Sequence, residues 1–291
     1  MSVLTNHKTG MAWLLFSKIM AALIIFAIFM VILINSYDAL YTINTNFLTV
    51  KWNPSKNLYG ILPMLYGSFA VTFLSLLIAV PLGLSSAIYV SEILSPEYRI
   101  YVKSFIELLA GIPSIIYGLI GVAFLSVWVA DLFHLTFGRT IFTASIILSI
   151  MILPTIMTLC EDALRHVPQK YREAAYATGL TKYETIFSAV IPIAKQNIIG
   201  AVLLAMGRAI GETMAVMLVI GSIDRLPSPI FNILVPGQTI TSKLGREIAE
   251  SAIGSLHFSA LVTLGLILMI VVMAVTFAAH YLFIAEERLY E

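Results

Sequence analysis

Charge is what this sequence has least of. Asp, Glu, Lys and Arg make up 11% of its 291 residues and the net charge is +1, where ordinary soluble domains carry roughly 25% charged residues. A balance this close to neutral leaves no nucleic-acid footprint. There is one cysteine, Cys160, inside an apolar run, so no disulfide framework forms within the chain and no Cys/His spacing suits a metal. No G-x-x-x-x-G-K-[ST] loop, H-E-x-x-H pair or Ser/His/Asp set occurs. The chain therefore cradles no ATP phosphates and carries no recognisable hydrolytic site. It is expected to be a non-catalytic subunit without a cofactor, driven by a partner or by an ion gradient.

What fills the space is hydrocarbon: 59% of the residues are hydrophobic and the mean hydropathy is +0.95. A helix crosses the bilayer core with ~20 apolar residues. Six stretches meet that length, at 11–34, 61–90, 108–130, 140–159, 198–223 and 258–285. The pattern predicts an all-α integral membrane protein with six transmembrane helices. Pro81, Pro113 and Pro154 fall within or at the ends of spans and should bend them. The first run is longer than a signal-peptide core and is followed by Asn35-Ser36-Tyr37-Asp38 rather than small residues, so it reads as a retained anchor. With the N-terminus inside, ten Lys and Arg residues, Arg288 among them, fall on cytoplasmic segments and six on outer ones. That bias predicts two cytoplasmic termini. It also puts the charged 161–196 loop in the cytoplasm and the 222–257 loop outside, with a short helix expected within 238–252. Residues 1–60 form a first helix and outer loop, and 61–291 a five-helix core. Trp13, Trp52 and Trp128 suit interfacial positions, and the histidines at 134, 166, 257 and 280 are scattered rather than clustered.

The cytoplasmic loop has internal punctuation. A helix starts after Pro168 and stops at Gly179, where a left-handed cap is cheap, and Thr181 with Glu184 opens a second helix through a capping box. Ala174 and Ala175 leave one side of the first helix flat. Such a hairpin suits either the lipid headgroups or a partner surface. Glu173-Ala174-Ala175, then Gly179, then Ile191-Pro192 resembles the EAA loop of ABC importer permeases. That resemblance implies docking of Glu173, Ala174, Ala175 and Gly179 into a separate ATP-hydrolysing subunit.

The fifth span holds two ionisable residues, Arg208 and Glu212. A charge at the bilayer centre costs ~2.5–3.5 kcal/mol on insertion scales. Four residues apart on a helix, the two share a face and should pair. Ala201, Ala205, Gly211, Ala215 and Ser222 make that face small. One reading is a helix clamp aided by Gly207-xxx-Gly211. The other is an anion-binding point, with Glu212 holding Arg208 until an oxyanion competes for the planar guanidinium. Pro113-Ser114-Ile115 suits a helix break near the same pathway or a simple kink.

The run from Gly207 through Glu212-Thr213-Met214-Ala215 to Gly221 resembles the signature of PstC-type permeases of bacterial phosphate ABC importers. The stretch Glu107–Gly118 and Gly254-Ser-Leu-His257 are similar to the family as well. The resemblance implies a type I importer permease fold with a cytoplasmic coupling-helix hairpin, sited in the bacterial inner membrane. It implies as partners a second, PstA-type permease, two ATPase subunits carrying ATP and Mg, and a periplasmic phosphate-binding protein. Inorganic phosphate would then pass Arg208, Glu212, Thr213 and Ser114. A sulfate or molybdate importer would share the hairpin but is not expected to carry this run. A carrier without an ATPase has no use for the hairpin.

Overall fold

The computed structural model describes residues 2–287; Arg288 and the side chain of His280 lie outside them. Six helices are long and apolar enough to span a membrane: Trp13–Ile43, Leu62–Ile93, Ser114–Leu132, Ile141–Arg165, Lys182–Gly211 and Leu256–Phe277. The first element, α1 (Ser2–Ile43), runs unbroken for 42 residues, and among its described side chains only Ser36, Ala39 and Ile43 are buried. Its long apolar side chains face outward, as lipid contact requires. A two-stranded antiparallel ribbon, β1 (Trp52–Asn53) with β2 (Leu58–Tyr59), caps this end of the bundle. Helix α2 (Leu62–Ile88) continues through a π-type turn, Tyr89–Ile93, into α3 (Pro96–Ala110).

The third span is not the single helix expected over 108–130. Helix α3 ends at Ala110, and α4 (Ser114–Ile120) restarts after Pro113, leading through a π-type turn to α5 (Ser126–Leu132). Pro113 has no N–H and disfavours helical geometry in the residue before it, so the chain must break there. Next come α6 (Ile141–Arg165), α7 (Gln169–Ala177), α8 (Lys182–Thr185) and α9 (Ile191–Gly211). The fifth span, expected to run on to residue 223, stops at Gly211 and resumes as α10 (Met214–Val219). Helices α11 (Ile240–Glu247) and α12 (Leu256–Glu287) complete the chain.

Helix α6 is the centre of the bundle, packed against both α2 and α9. Its inner ridge is Leu148, Ile152, Ile156, Cys160 and Leu164, all fully buried and spaced by four. The facing ridge of α2 has the same spacing but small side chains: Val71, Ser75, Ala79, Gly83 and Ala87. Large knobs on one i±4 row fill the groove left by small residues on another, which is ridge-into-groove packing. A Cβ on Gly83 would lie 2.7 Å from Ile156 Cγ2, so the two helices touch through that glycine.

Charge gathers at the two ends. At the end holding α7 and α8, Arg172 forms a two-point ion pair with Glu92, at 2.6 and 3.2 Å. The pair is only 13% and 10% exposed. The same guanidinium donates to the carbonyls of Val167 and Leu164. Lys103 on α3 bonds Glu161 and Asp162 at the end of α6, at 2.9 and 2.7 Å. At the far end Lys243, 3% exposed, is held by Asp224 and Glu247 at 2.5 and 2.6 Å. It lies 5.0 Å over the ring of Trp52. Trp52, half-buried at this end of the bundle, packs edge-on against Tyr59.

Removing one partner of a buried ion pair costs ~3–5 kcal/mol, whereas replacing both with apolar groups is often neutral. Arg172→Ala should therefore lower the thermal unfolding temperature of the purified protein, and Arg172→Met with Glu92→Leu should restore most of it. Unfolding curves in detergent for the single and double variants check this; an unaffected single variant would mean that the pair contributes nothing.

Candidate functional site at the two helix breaks

Arg208 stands three residues before the end of α9. Helical side chains lean toward the N-terminus of their own helix, and this one reaches sideways to α6, where Nη1 donates to Thr155 Oγ1 at 2.7 Å. Thr155 follows Pro154 in the middle of α6, which places the guanidinium halfway along the bundle, exposed on its side. Ala205 and Ala201, one and two turns before Arg208, are buried, so small residues let α9 approach closely enough for that reach.

Both broken spans converge on this point. Lys103 fixes α3 to the end of α6, and Ala110 lies seven residues further on, about 10 Å deeper at the helical rise. The break at Gly111–Pro113 deprives the Leu109 carbonyl of its regular helical partner, the N–H that proline lacks, and leaves it a longer bond from the N–H of Ile112 at 3.3 Å. Tyr117 supplies a substitute: its hydroxyl donates to Leu109 O at 2.8 Å. Beyond the breaks, α4 lies directly on α10. A Cβ on Gly118 would stand 3.0 Å from Ala215 Cα, and one on Gly121 2.6 Å from Val219 Cγ1. These glycines set the spacing of the two short helices.

The expected Arg208–Glu212 pair does not form. Residues four apart share a face only on an uninterrupted helix, and this helix ends at Gly211. Glu212 is extended, at φ −67° and ψ 127°. Its carboxylate turns away to accept from the N–H of Ala215 at 3.2 Å, capping α10. Its carbonyl accepts from the Thr241 hydroxyl at 2.7 Å. Among the described residues no carboxylate pairs with Arg208. Thr213, between the two helices, donates its hydroxyl to Gly211 O at 3.2 Å. Ser114 opens α4 half-buried, its hydroxyl unbonded among the described residues. A five-donor guanidinium thus spends one hydrogen bond on a neutral hydroxyl and keeps its charge uncompensated. The expected Gly207-xxx-Gly211 clamp is not closed either: a Cβ on Gly200, Gly207 or Gly211 would meet nothing within 4 Å.

The hairpin at one end of the bundle has the punctuation that the sequence predicts. Gly179 is left-handed at φ +89°. The N–H of Leu180 reaches Ala175 O, and that of Gly179 reaches Tyr176 O, the two bonds of a Schellman cap. Thr181 and Glu184 form the reciprocal capping box. Glu173 and Ala174 are exposed, but Ala175 is turned inward and buried. The flat two-alanine face is therefore one alanine wide, because the Arg172–Glu92 pair rotates α7 so that Ala175 packs on the bundle. Arg172, Glu92, Thr155 and Tyr117 all escape a sequence reading. The available signals are weak: a carboxylate ending an apolar run, and a threonine beside a mid-span proline.

The family model for "Binding-protein-dependent transport system inner membrane component" matches residues 79–287. The chain is 39% identical over 227 residues to a probable ABC transporter permease protein YqgH of Bacillus subtilis (strain 168), covering 77% of this chain and 72% of that one. It is 38% identical over 267 residues to the phosphate transport system permease protein PstC of Mesorhizobium japonicum (strain LMG 29417 / CECT 9101 / MAFF 303099), covering 85% and 80%. Among solved structures, the bacterial ABC transporter that imports the acidic polysaccharide alginate superposes with a TM-score of 0.58 at 16% identity, over 93% of this chain and 94% of that one. The inward-facing methionine ABC transporter MetNI superposes with a TM-score of 0.57 at 18% identity, over 78% and 94%. These likenesses give the fold as that of type I ABC importer permeases. With six membrane-length helices, two of the transmembrane passages broken at one guanidinium, and an EAA-type hairpin at one end, the chain belongs to the binding-protein-dependent transport system inner membrane components.

Proposed function

We propose that this chain is a permease subunit of an ATP-driven phosphate importer. With a second, PstA-type permease chain it forms the pathway for inorganic phosphate across the bacterial inner membrane. The observation that carries this reading is the uncompensated guanidinium of Arg208 at mid-bundle. An unpaired charge at that depth is costly, and it is retained where a transient anion supplies the missing partner. Its planar fork matches two oxygens of a phosphate. Discontinuous spans that line such a site are a recurring device of transporters. The naming of the PstC relative supports phosphate over sulfate or molybdate, and the hairpin speaks against an ATPase-independent carrier.

In this reading Ser114 and Thr213 flank the pathway at the two breaks, and Glu212 holds α10 in place rather than neutralising Arg208. The unpacked face of α9 at Gly200, Gly207 and Gly211 is left for the second permease. The α7–α8 hairpin, with Glu173 and Ala174 outermost, docks into one of two ATPase subunits, which bind ATP and Mg themselves. The hairpin and both termini face the cytoplasm. The far end, with α11 and the β-ribbon, receives a periplasmic phosphate-binding protein. This chain itself performs no catalysis and holds no cofactor.

Arg208→Met should assemble and yet carry almost no phosphate, while Arg208→Lys, which keeps the charge and loses the fork, should fall between it and wild type. Uptake normalised to assembled complex checks this. Wild-type transport by the assembled Arg208→Met complex would sink the proposed role of Arg208.

The docking role is separable. A Cβ at Gly179 meets nothing within 4 Å, so only the left-handed backbone resists substitution, at ~1–2 kcal/mol for a β-branched side chain. Gly179→Val should weaken co-purification with the ATPase and lower uptake, whereas Gly179→Asn, which tolerates this conformation, should be mild. Equal recovery of the ATPase with all three chains would refute docking through this turn.

A further inference from the structure

A cavity of about 380 Å³ opens at the end of the bundle opposite the hairpin, lined by Arg139, Met217, Leu218, Gly221, Ser222 and Arg246. Three separate elements build it: the loop before α6, the end of α10 with the residues after it, and α11. Gly221 is what brings them together. It has φ +88°, and a Cβ there would lie 2.6 Å from the Arg139 carbonyl. Only a residue without a side chain allows the Arg139 backbone to lie against the end of α10.

The electrostatics of the cavity are unlike those around it. Nearby Lys243 is matched by two carboxylates, Asp224 and Glu247. No carboxylate lines this cavity. Arg246 donates Nη1 to the Ser222 carbonyl at 3.2 Å, and the Arg139 side chain has no partner among the described residues. Both guanidiniums are exposed at the rim. Two like charges repel unless something of opposite sign lies between them. Helix α10 connects this place to the other uncompensated guanidinium: it starts at the break after Arg208 and ends at the cavity wall, six residues or about 9 Å later.

We infer that this cavity is a second oxyanion site, in which Arg139 and Arg246 together hold a tetrahedral oxyanion before it moves along α10 to Arg208. The inference rests on the phosphate-importer reading, which supplies the substrate and puts this end of the bundle outside. The same chemistry fits a lipid phosphate headgroup, so the test must separate the two.

The test uses the complete importer complex in nanodiscs of phosphatidylcholine, treated with an arginine-selective dicarbonyl reagent, and the modification of each arginine is followed by mass spectrometry. Inorganic phosphate should slow modification of Arg139 and Arg246 several-fold and leave unchanged that of Arg225, an exposed arginine of the same 222–257 loop that does not line this cavity. No slowing at either residue overturns the site. So does slowing that requires phosphatidylglycerol in the nanodisc and is indifferent to inorganic phosphate, since the occupant is then lipid. In proteoliposomes, Arg139→Gln with Arg246→Gln should lower phosphate uptake per assembled complex several-fold, and the corresponding double Lys variant should retain more. Undiminished uptake by the double Gln variant overturns the inference while leaving Arg208 in place. Protection by sulfate, with no phosphate import by the wild-type complex, removes the phosphate reading and keeps the oxyanion site.

Discussion

Hydrocarbon offers a backbone amide no hydrogen-bond partner, and this chain breaks two of its six passages inside it. Each unsatisfied group there costs several kcal/mol, so a break is stable only where other groups take over the lost bonds. Tyr117 does this for the Leu109 carbonyl beside Pro113. Thr241 does it for the Glu212 carbonyl, and Glu212 itself for the N–H of Ala215. The unbroken ridge of α6 provides the wall against which the broken pieces are held. Without the small-residue groove of α2 and α9 around that ridge, neither break would have a fixed position, and Arg208 would have no Thr155 to reach.

The parts legible in the sequence are those fixed by nearby residues. Six membrane crossings follow from run length. The hairpin, down to its left-handed Gly179 and the Thr181–Glu184 box, follows from residues within a few positions of one another. The break at Pro113 is local too, although the run of apolar residues across it reads as one helix. The break after Gly211 was not legible, because what holds it is a threonine 29 residues away on α11. The Arg172–Glu92 bond joins residues 80 apart, and it fastens α7 with Ala175 facing inward. Spacing rules assume continuous helix. They place Arg208 and Glu212 on one face, and they fail where a carboxylate finds an amide to cap.

Charge is distributed with a clear division of labour. Groups that fasten elements are matched: Arg172 with Glu92, Lys103 with Glu161 and Asp162, and Lys243 with Asp224 and Glu247. Among the described residues the guanidiniums of Arg208, Arg139 and Arg246 have no carboxylate partner, and neither has Arg99, which donates instead to the carbonyls of Ser91 and Leu94; α10 links the first three. Along α10, then, three positive charges stand without a carboxylate.

The fifth span has a mechanical consequence. From Lys182 in the hairpin to Gly211 the chain is helical without interruption for 30 residues, about 45 Å at the helical rise. Hairpin and guanidinium are thus mounted on one shaft. A twist applied at α8 arrives at Arg208 as a twist, apart from what the wide turn at Ile186–Val190 absorbs as a torsion spring. The shaft ends abruptly at Glu212, so the rotation is not passed on to α10. The joint is a swivel rather than a rigid connection: Arg208 is carried by α9, while α10 is held separately by its own packing against α4 and α11.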